Sequence, residues 1–369
     1  MPAYIHHIET IVPEQVFTQE QTRDLIKKNV NSDRRAVQSI IHRVYSQSEI
    51  EKRHSVIKDF EENDDTPLFF DKNGDKLEAP STKKRNDTYT KEATRLFCKV
   101  ARQALENAQV SPQEITHVIT VSCTGFFAPG PEYYIVKELG LNPSTERYHI
   151  GFMGCFAAFP ALKMAEAFCR NNENAHVLVV ALELCTLHLQ FNADIDTILS
   201  GSVFADGGAA VLISGKKPSN KTALKTDGFQ TGITPKGEKD MAWTIGDEGF
   251  DMVLTTYVPD IIEENIQPMT TEVLDKFGKS VEDITYWAVH PGGRAIVDRI
   301  QNSLSLTDKD VSASRKVLKD NGNMSSATVL FVMKEILQNT NIKPGEKMLS
   351  MAFGPGLTVE TGLFEVIGA

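Results

Sequence analysis

Cys155 stands in Gly151-Phe152-Met153-Gly154-Cys155-Phe156-Ala157-Ala158. The small residues of this run permit a sharp strand-to-helix turn and close backbone approach. A helix that starts there points its free N–H groups and positive dipole end toward the sulfur, which favours the thiolate. A thiolate so placed can attack a thioester or another activated carbonyl, although a buried cysteine can also serve simply as a small apolar side chain. His290 follows the apolar run Tyr286-Trp287-Ala288-Val289 and precedes Pro291-Gly292-Gly293-Arg294. Its ring therefore projects from the C-terminal end of a strand, where open α/β sheets bind ligands. Asn323 lies in the turn Gly322-Asn323-Met324-Ser325-Ser326. A histidine and an asparagine donating to one carbonyl oxygen make an oxyanion hole suited to a developing enolate.

An internal repeat would bring the three together. Ile115-Thr116-His117-Val118-Ile119-Thr120-Val121-Ser122 resembles Ile284-Thr285-Tyr286-Trp287-Ala288-Val289-His290-Pro291 at an offset of 169 residues. The Gly151–Cys155 turn matches Gly322–Ser326, and His176-Val177-Leu178-Val179-Val180 matches Lys347-Met348-Leu349-Ser350-Met351, both at an offset of 171. Any two apolar strands look alike, but three matches in order and nearly in register point to a duplication. Cys155 and Asn323 then fall at equivalent helix starts, with His290 at a strand end between them. Each half alternates short apolar runs with helical spacing, which reads as α/β with buried, mostly parallel strands. Thr90 is placed to cap a helix carrying Ala93, Leu96, Phe97, Val100, Ala101 and Ala104 on one face, with 259–277 as its counterpart. Helices over 156–170 and 325–338 follow the two glycine turns, the second capped by Ser325.

The 369 residues carry a net charge of -10, with no basic stripe or aromatic repeat, which argues against nucleic acid and anionic membranes as partners. With 41% hydrophobic and 24% charged residues the chain is not wholly disordered. The longest apolar runs, such as 176–182, fall far short of the ~20 residues that span a bilayer. Residues 1–9 show no basic segment leading into an apolar stretch, so the expected address is the cytoplasm. The five cysteines are odd in number and form no CxxC, which suggests free thiols in a reducing compartment. None is spaced from a histidine as zinc sites require, so no metal is expected. P-loop, GxSxG and GxGxxG motifs are absent. The stretch 31–91, rich in charge and carrying Asn73-Gly74-Asp75 and Pro80, reads as a surface insertion, partly helical over 49–60.

Gly154-Cys155-Phe156-Ala157, His290-Pro291-Gly292-Gly293, Gly322-Asn323-Met324-Ser325-Ser326-Ala327 and Phe353-Gly354-Pro355-Gly356-Leu357-Thr358-Val359-Glu360-Thr361 together resemble the type III polyketide synthases, the chalcone-synthase-like enzymes. The likeness runs in order along nearly the whole chain and is weakest over 31–91. It implies a thiolase-like fold of duplicated αβαβα layered halves with mixed, mostly parallel sheets. Residues 1–220 would form the half bearing the nucleophile, and 221–369 the half bearing His290 and Asn323. It also implies a homodimer that takes acyl-CoA starters and malonyl-CoA extenders as substrates, with no cofactor. Cys155 would hold the acyl chain, and His290 and Asn323 would stabilise the enolate left after decarboxylation. As imidazolium, His290 would also deepen the thiolate's stability.

Phe204, in Gly201-Ser202-Val203-Phe204-Ala205-Asp206, matches the family's gatekeeper, with Met252 or Phe250 in the second gatekeeper's place. Cys123, Thr124 and Ala128 match a segment that lines the pocket or crosses to the dimer partner. Ala128 replaces a larger methionine there, an opening for a longer acyl chain. Cys185 and His188 fall where plant enzymes carry starter-selecting residues. Arg43, with Lys52 and Arg53 close by, resembles the basic positions used near the coenzyme A phosphates. Gly354-Pro355-Gly356 reads as a tight turn shaping the cavity floor. The resulting expectation is repeated Claisen condensation followed by cyclisation to a pyrone, resorcinol or phloroglucinol ring. Rivals of the same fold are a ketoacyl-ACP synthase III, which shares Cys, His and Asn, and a hydroxymethylglutaryl-CoA synthase. A non-catalytic scaffold of this fold would lack the nucleophile.

Overall fold

A computed structural model describes residues 2–30, 35–59, 67–69, 78–219, 221–339 and 341–368. Thirteen strands follow one another along the described chain. The first seven are β1 (Tyr4–Ile11), β2 (Gln15–Thr18), β3 (Lys52–Ser55), β4 (His117–Ser122), β5 (Glu146–Gly151), β6 (His176–Leu184) and β7 (Asp206–Ser214). The rest are β8 (Ala223–Ile233), β9 (Met241–Gly246), β10 (Gly249–Leu254), β11 (Ile284–Val289), β12 (Lys347–Gly354) and β13 (Thr358–Ile367).

Nine of them make one sheet in the order β11-β12-β13-β8-β1-β7-β6-β4-β5. The joint between halves is the short antiparallel pairing of β1 with β8, Tyr4 opposite Lys225 and Ile5 opposite Leu224. Outward from it, β7, β6 and β4 on one side answer β13, β12 and β11 on the other. The repeated segments thus occupy equivalent places, β4 with β11 and β6 with β12. In the first half β1, β4, β5 and β6 run one way and β7 against them. In the second, β8, β11 and β12 run together and β13 opposes them. The strands are therefore mostly parallel within each half, yet most neighbouring pairs are antiparallel because the reversed strand sits inside.

Both faces of β4, β6 and β7 are buried, as their unbroken apolar runs require. Helices Ala158–Asn171 and Thr328–Asn339 form the central layer and touch strands of both halves. Helices Thr82–Ala108 and Pro131–Leu139 cover the first half from outside. Val258–Lys276 and Arg294–Ser303 cover the second. No helix among the described residues is long and apolar enough to cross a membrane.

Three expectations for the charged insertion need correction, and its Asn73-Gly74-Asp75 lies outside the described residues. Residues 52–55 are a strand rather than part of a helix: β3 pairs antiparallel with β2, with Arg53 and Ser55 turned inward and Lys52 outward. That alternation of period two suits a strand and not a helical turn. The long helix starts at Thr82, capped by the Ser81 hydroxyl, which accepts from the Lys84 N–H; Thr90 lies inside the helix and donates to the Asn86 carbonyl. The first turns of this helix are not a surface insertion throughout, because Arg85 and Tyr89 are buried. Arg85 Nη1 donates to the carbonyls of Leu187 (2.6 Å) and Leu189 (2.8 Å), and its Nε to that of Pro80 (2.9 Å). Removing it strands three acceptors away from water. Arg85→Ala is expected to lower the unfolding free energy by roughly 2–4 kcal/mol in urea titration; a loss below about 0.5 kcal/mol would contradict the bracing role.

Candidate active site

Cys155 lies in the turn between β5 and the helix Ala158–Asn171. The turn depends on Gly154, whose φ is +86° and at which a Cβ would come within 2.3 Å of Pro355 Cδ. The Gly154 N–H donates to Cys123 Sγ at 2.9 Å, which fixes the turn against the end of β4. His290 follows β11; its N–H donates to the Met351 carbonyl at 2.8 Å, and its carbonyl accepts from Gly292 at 3.0 Å. Asn323 is joined to Val203 and Ala205 through its backbone, with Phe204 opposite in a parallel bridge. Its Oδ1 accepts from the Ser325 N–H at 2.9 Å, so Asn323, and not Ser325, supplies the capping oxygen of this helix start. Its Nδ2 donates to the Gly292 carbonyl at 3.1 Å and keeps a second N–H.

Cys155, His290 and Asn323 line one chamber of about 40 Å³. Cys123, Thr124, Cys185, Phe204, Met252 and Pro355 are among its walls. Gly354 lies beneath, where a Cβ would come within 2.5 Å of Phe156. A second cavity, of about 340 Å³, shares Cys185, Phe204, Trp243 and Met252 with the chamber. His188 and Phe250 belong to this larger cavity only, with their rings stacked at 4.1 Å. Met252, on the chamber wall with Phe204, is the better placed of the two gatekeeper candidates.

Burial decides the charge state. It pushes the Cys155 thiol up to about 11, against hydrogen bonding from Ser325 and Asn323. It also takes the His290 imidazole down to about 3. Burial thus works against the expected thiolate beside an imidazolium and favours the neutral form of each group. The helix begins at Ala158, three residues along the chain from Cys155. Neither ring nitrogen of His290 has a hydrogen-bond partner among the described residues.

Two expected positions lie elsewhere. Ala128 is exposed on the loop after β4 and lines neither cavity of its own chain, the placement expected of a residue that crosses to a dimer partner rather than one that lines its own pocket. Arg53 is buried, and its Nη1 donates to the carbonyls of Gly201 and Phe204, each at 2.7 Å, so it braces the Phe204 backbone and is not a surface phosphate ligand. Arg43 and Lys52 are exposed on the helix Arg35–Ser46 and on β3. Among the described residues no group of three or more His, Cys, Asp or Glu side chains could hold a metal ion.

Residue reading alone missed Glu183 and Trp243. Glu183, fully buried at the end of β6, accepts from the Cys123 N–H (2.8 Å), the Thr124 hydroxyl (3.0 Å) and the Ser326 hydroxyl. Its signal was a lone acid in the run Val-Leu-Val-Val-Ala-Leu-Glu-Leu. Trp243 Nε1 donates to the Cys123 carbonyl at 2.8 Å. Burial raises the Glu183 carboxyl from 4.5 to about 7, against the pull of those hydrogen bonds. Across that window the folded chain keeps a proton that the unfolded chain releases, so stability falls as pH rises and the cost is complete above about 7. The full effect is roughly 3 kcal/mol. Glu183→Gln is expected to flatten the decline in urea-unfolding free energy between about pH 5 and about pH 7; an unchanged slope would contradict the burial argument.

The chain matches the family model for the N-terminal domain of chalcone and stilbene synthases over residues 1–218 and that for the C-terminal domain over residues 227–368. It is 30% identical over 371 residues to the alpha-pyrone synthesis polyketide synthase-like Pks18 of Mycobacterium tuberculosis, covering 99% of this chain and 91% of that protein. Its fold is similar to the polyketide synthase PKS-I of the brown alga Ectocarpus siliculosus, with TM-score 0.90 and 27% identity over 99% of this chain and 98% of that one. It is also similar to 1,3,6,8-tetrahydroxynaphthalene synthase of Streptomyces coelicolor, a bacterial type III polyketide synthase, with TM-score 0.87 and 28% identity over 99% and 100% of the two chains. The chain thus belongs to the chalcone and stilbene synthase family and is a type III polyketide synthase, a condensing acyltransferase.

Proposed function

We propose that the chain extends an acyl-CoA starter with malonyl-CoA, carrying the growing chain on Cys155 and releasing a cyclised pyrone, resorcinol or phloroglucinol-type product. The observation that carries this reading is the chamber of about 40 Å³ in which sulfur, imidazole and amide meet. His290, neutral through burial, takes the thiol proton as Cys155 Sγ attacks the acyl-CoA carbonyl and the coenzyme A thiolate leaves. Malonyl-CoA then binds with its thioester oxygen toward His290 and the Asn323 side-chain amide. The bond to the carboxylate breaks, carbon dioxide departs, and the electron pair passes to the enolate those donors stabilise. The enolate carbon attacks the thioester on Cys155, expelling the sulfur. The lengthened chain, carried off as a coenzyme A thioester, reloads Cys155 for the next round.

Phe204 and Met252 present an apolar wall that disfavours the malonate carboxylate and so favours its loss. Arg43 and Lys52 are the cations offered to the coenzyme A phosphates, and a homodimer in the cytoplasm is the working form. The thioesters are substrates, and no cofactor takes part. With malonyl-CoA as the labelled substrate, Cys155→Ala is expected to abolish chain extension while still releasing carbon dioxide. Asn323→Ala is expected to slow carbon dioxide release by about 10²-fold or more, the scale of losing one oxyanion donor. Chain extension persisting in Cys155→Ala would overturn the covalent role.

A further inference from the structure

We infer that Arg53 is a positioning residue for the oxyanion donor Asn323, and that decarboxylation of malonyl-CoA depends on it while loading of Cys155 does not. This deepens the proposed function and rests on it. Pairing of β3 with β2 sets Arg53 opposite Phe17 and turns its side chain inward. It does not line the reacting chamber. Its Nη1 instead bonds two carbonyls of one short segment, those of Gly201 and Phe204. That segment is also the backbone partner of Asn323. The Asn323 N–H donates to the Val203 carbonyl at 2.8 Å, and the Asn323 carbonyl accepts from the Ala205 N–H at 2.9 Å. The guanidinium thus fixes carbonyls on either side of the one that holds Asn323.

The same side chain meets the Asn323 turn directly. A Cβ on Gly322, whose φ is +72°, would come within 3.0 Å of both Arg53 Cγ and the Val203 carbonyl oxygen. Two residues before Arg53, the Glu51 N–H donates to the Lys319 carbonyl at 2.8 Å, in the last turn of the helix Ser312–Asn321 that leads into Asn323. Residues 51–53 therefore hold both the helix before the turn and the segment paired with it. Stability alone does not account for Arg53. It is buried, burial works against its charge, and its Nε and Nη2 have no hydrogen-bond partner among the described residues. A buried cation with two idle nitrogens is costly, and an apolar side chain of similar volume would fill the space at less cost. What only a donor can do at this place is hold the two carbonyls.

Two separate steps distinguish this role from a general loss of fold. Mass spectrometry of the Cys155 peptide after brief mixing with acyl-CoA gives the loading rate, which in the proposed mechanism uses Cys155 and His290. Release of labelled carbon dioxide from malonyl-CoA gives the rate that uses Asn323. Arg53→Met is expected to slow carbon dioxide release by about tenfold or more, within the ~10²-fold that a misplaced group costs, with loading held within about threefold. Arg53→Gln, neutral and still polar, is a second variant read in the same way. Combined with Asn323→Ala, Arg53→Met is expected to add less than about twofold, because the donor it positions is gone. An equal fall of loading and release in both single variants, loss of folded enzyme included, would make Arg53 a brace of the general fold and overturn the inference. So would unchanged carbon dioxide release in both, or a further fall of about tenfold in the double variant. No carbon dioxide release by the wild type would instead overturn the proposed function on which the inference rests.

Discussion

The contact between Gly154 and Pro355 sets where the nucleophile stands. The proline ring fills the space a Cβ at position 154 would need, and the glycine's φ of +86° suits no ordinary side chain. One step along, Phe156 presses on Gly354 in the same way. These two crossings tie the turn that bears Cys155, from the first half of the chain, to the β12–β13 turn of the second. His290 and Asn323 approach from that second half. The active chamber is consequently a product of how the duplicated halves meet, and neither half alone contains it.

That construction has an electrostatic consequence. Burial where the two halves meet leaves little water around Cys155 and His290, which favours their neutral forms. The same lack of water strengthens any donor aimed at a charge that appears during reaction. Asn323 is suited to this role because its oxygen is occupied by Ser325 and its nitrogen is held in place by Gly292. Glu183 carries the idea further back: a buried carboxyl grips Cys123, Thr124 and Ser326, linking the end of β4 to the second half's helix start. It holds the chamber's walls without reaching into the space.

The parts of this arrangement visible in the sequence were those encoded by local repetition. β4 and β11, and β6 and β12, announce themselves through matching apolar runs, and the two glycine turns sit at the same offset. What escaped depends on partners distant in the chain. Arg85 looks like any charge on a helix until its acceptors prove to be carbonyls at 187 and 189. Arg53 sits in a charged stretch that suggests a phosphate ligand, yet pairing of β3 with β2 turns it inward beneath Phe204. Ala128 holds a position whose meaning depends on the path of a loop, and that path leads to the surface. Residue type gave no hint of the larger cavity either, because helices at 19–29 and 195–203 form its sides together.

Two spaces of very different size meet at Cys185, Phe204, Trp243 and Met252, and Cys155 lines only the smaller one. Three thiols, Cys123, Cys155 and Cys185, face the smaller space, so the identity of the acyl carrier is the claim most open to direct measurement. Brief incubation with acyl-CoA alone, followed by proteolysis and peptide mass spectrometry, reports which thiol is loaded. The account predicts the acyl mass on the peptide containing Cys155. Acylation of Cys123 or Cys185 with Cys155 left unmodified would contradict it.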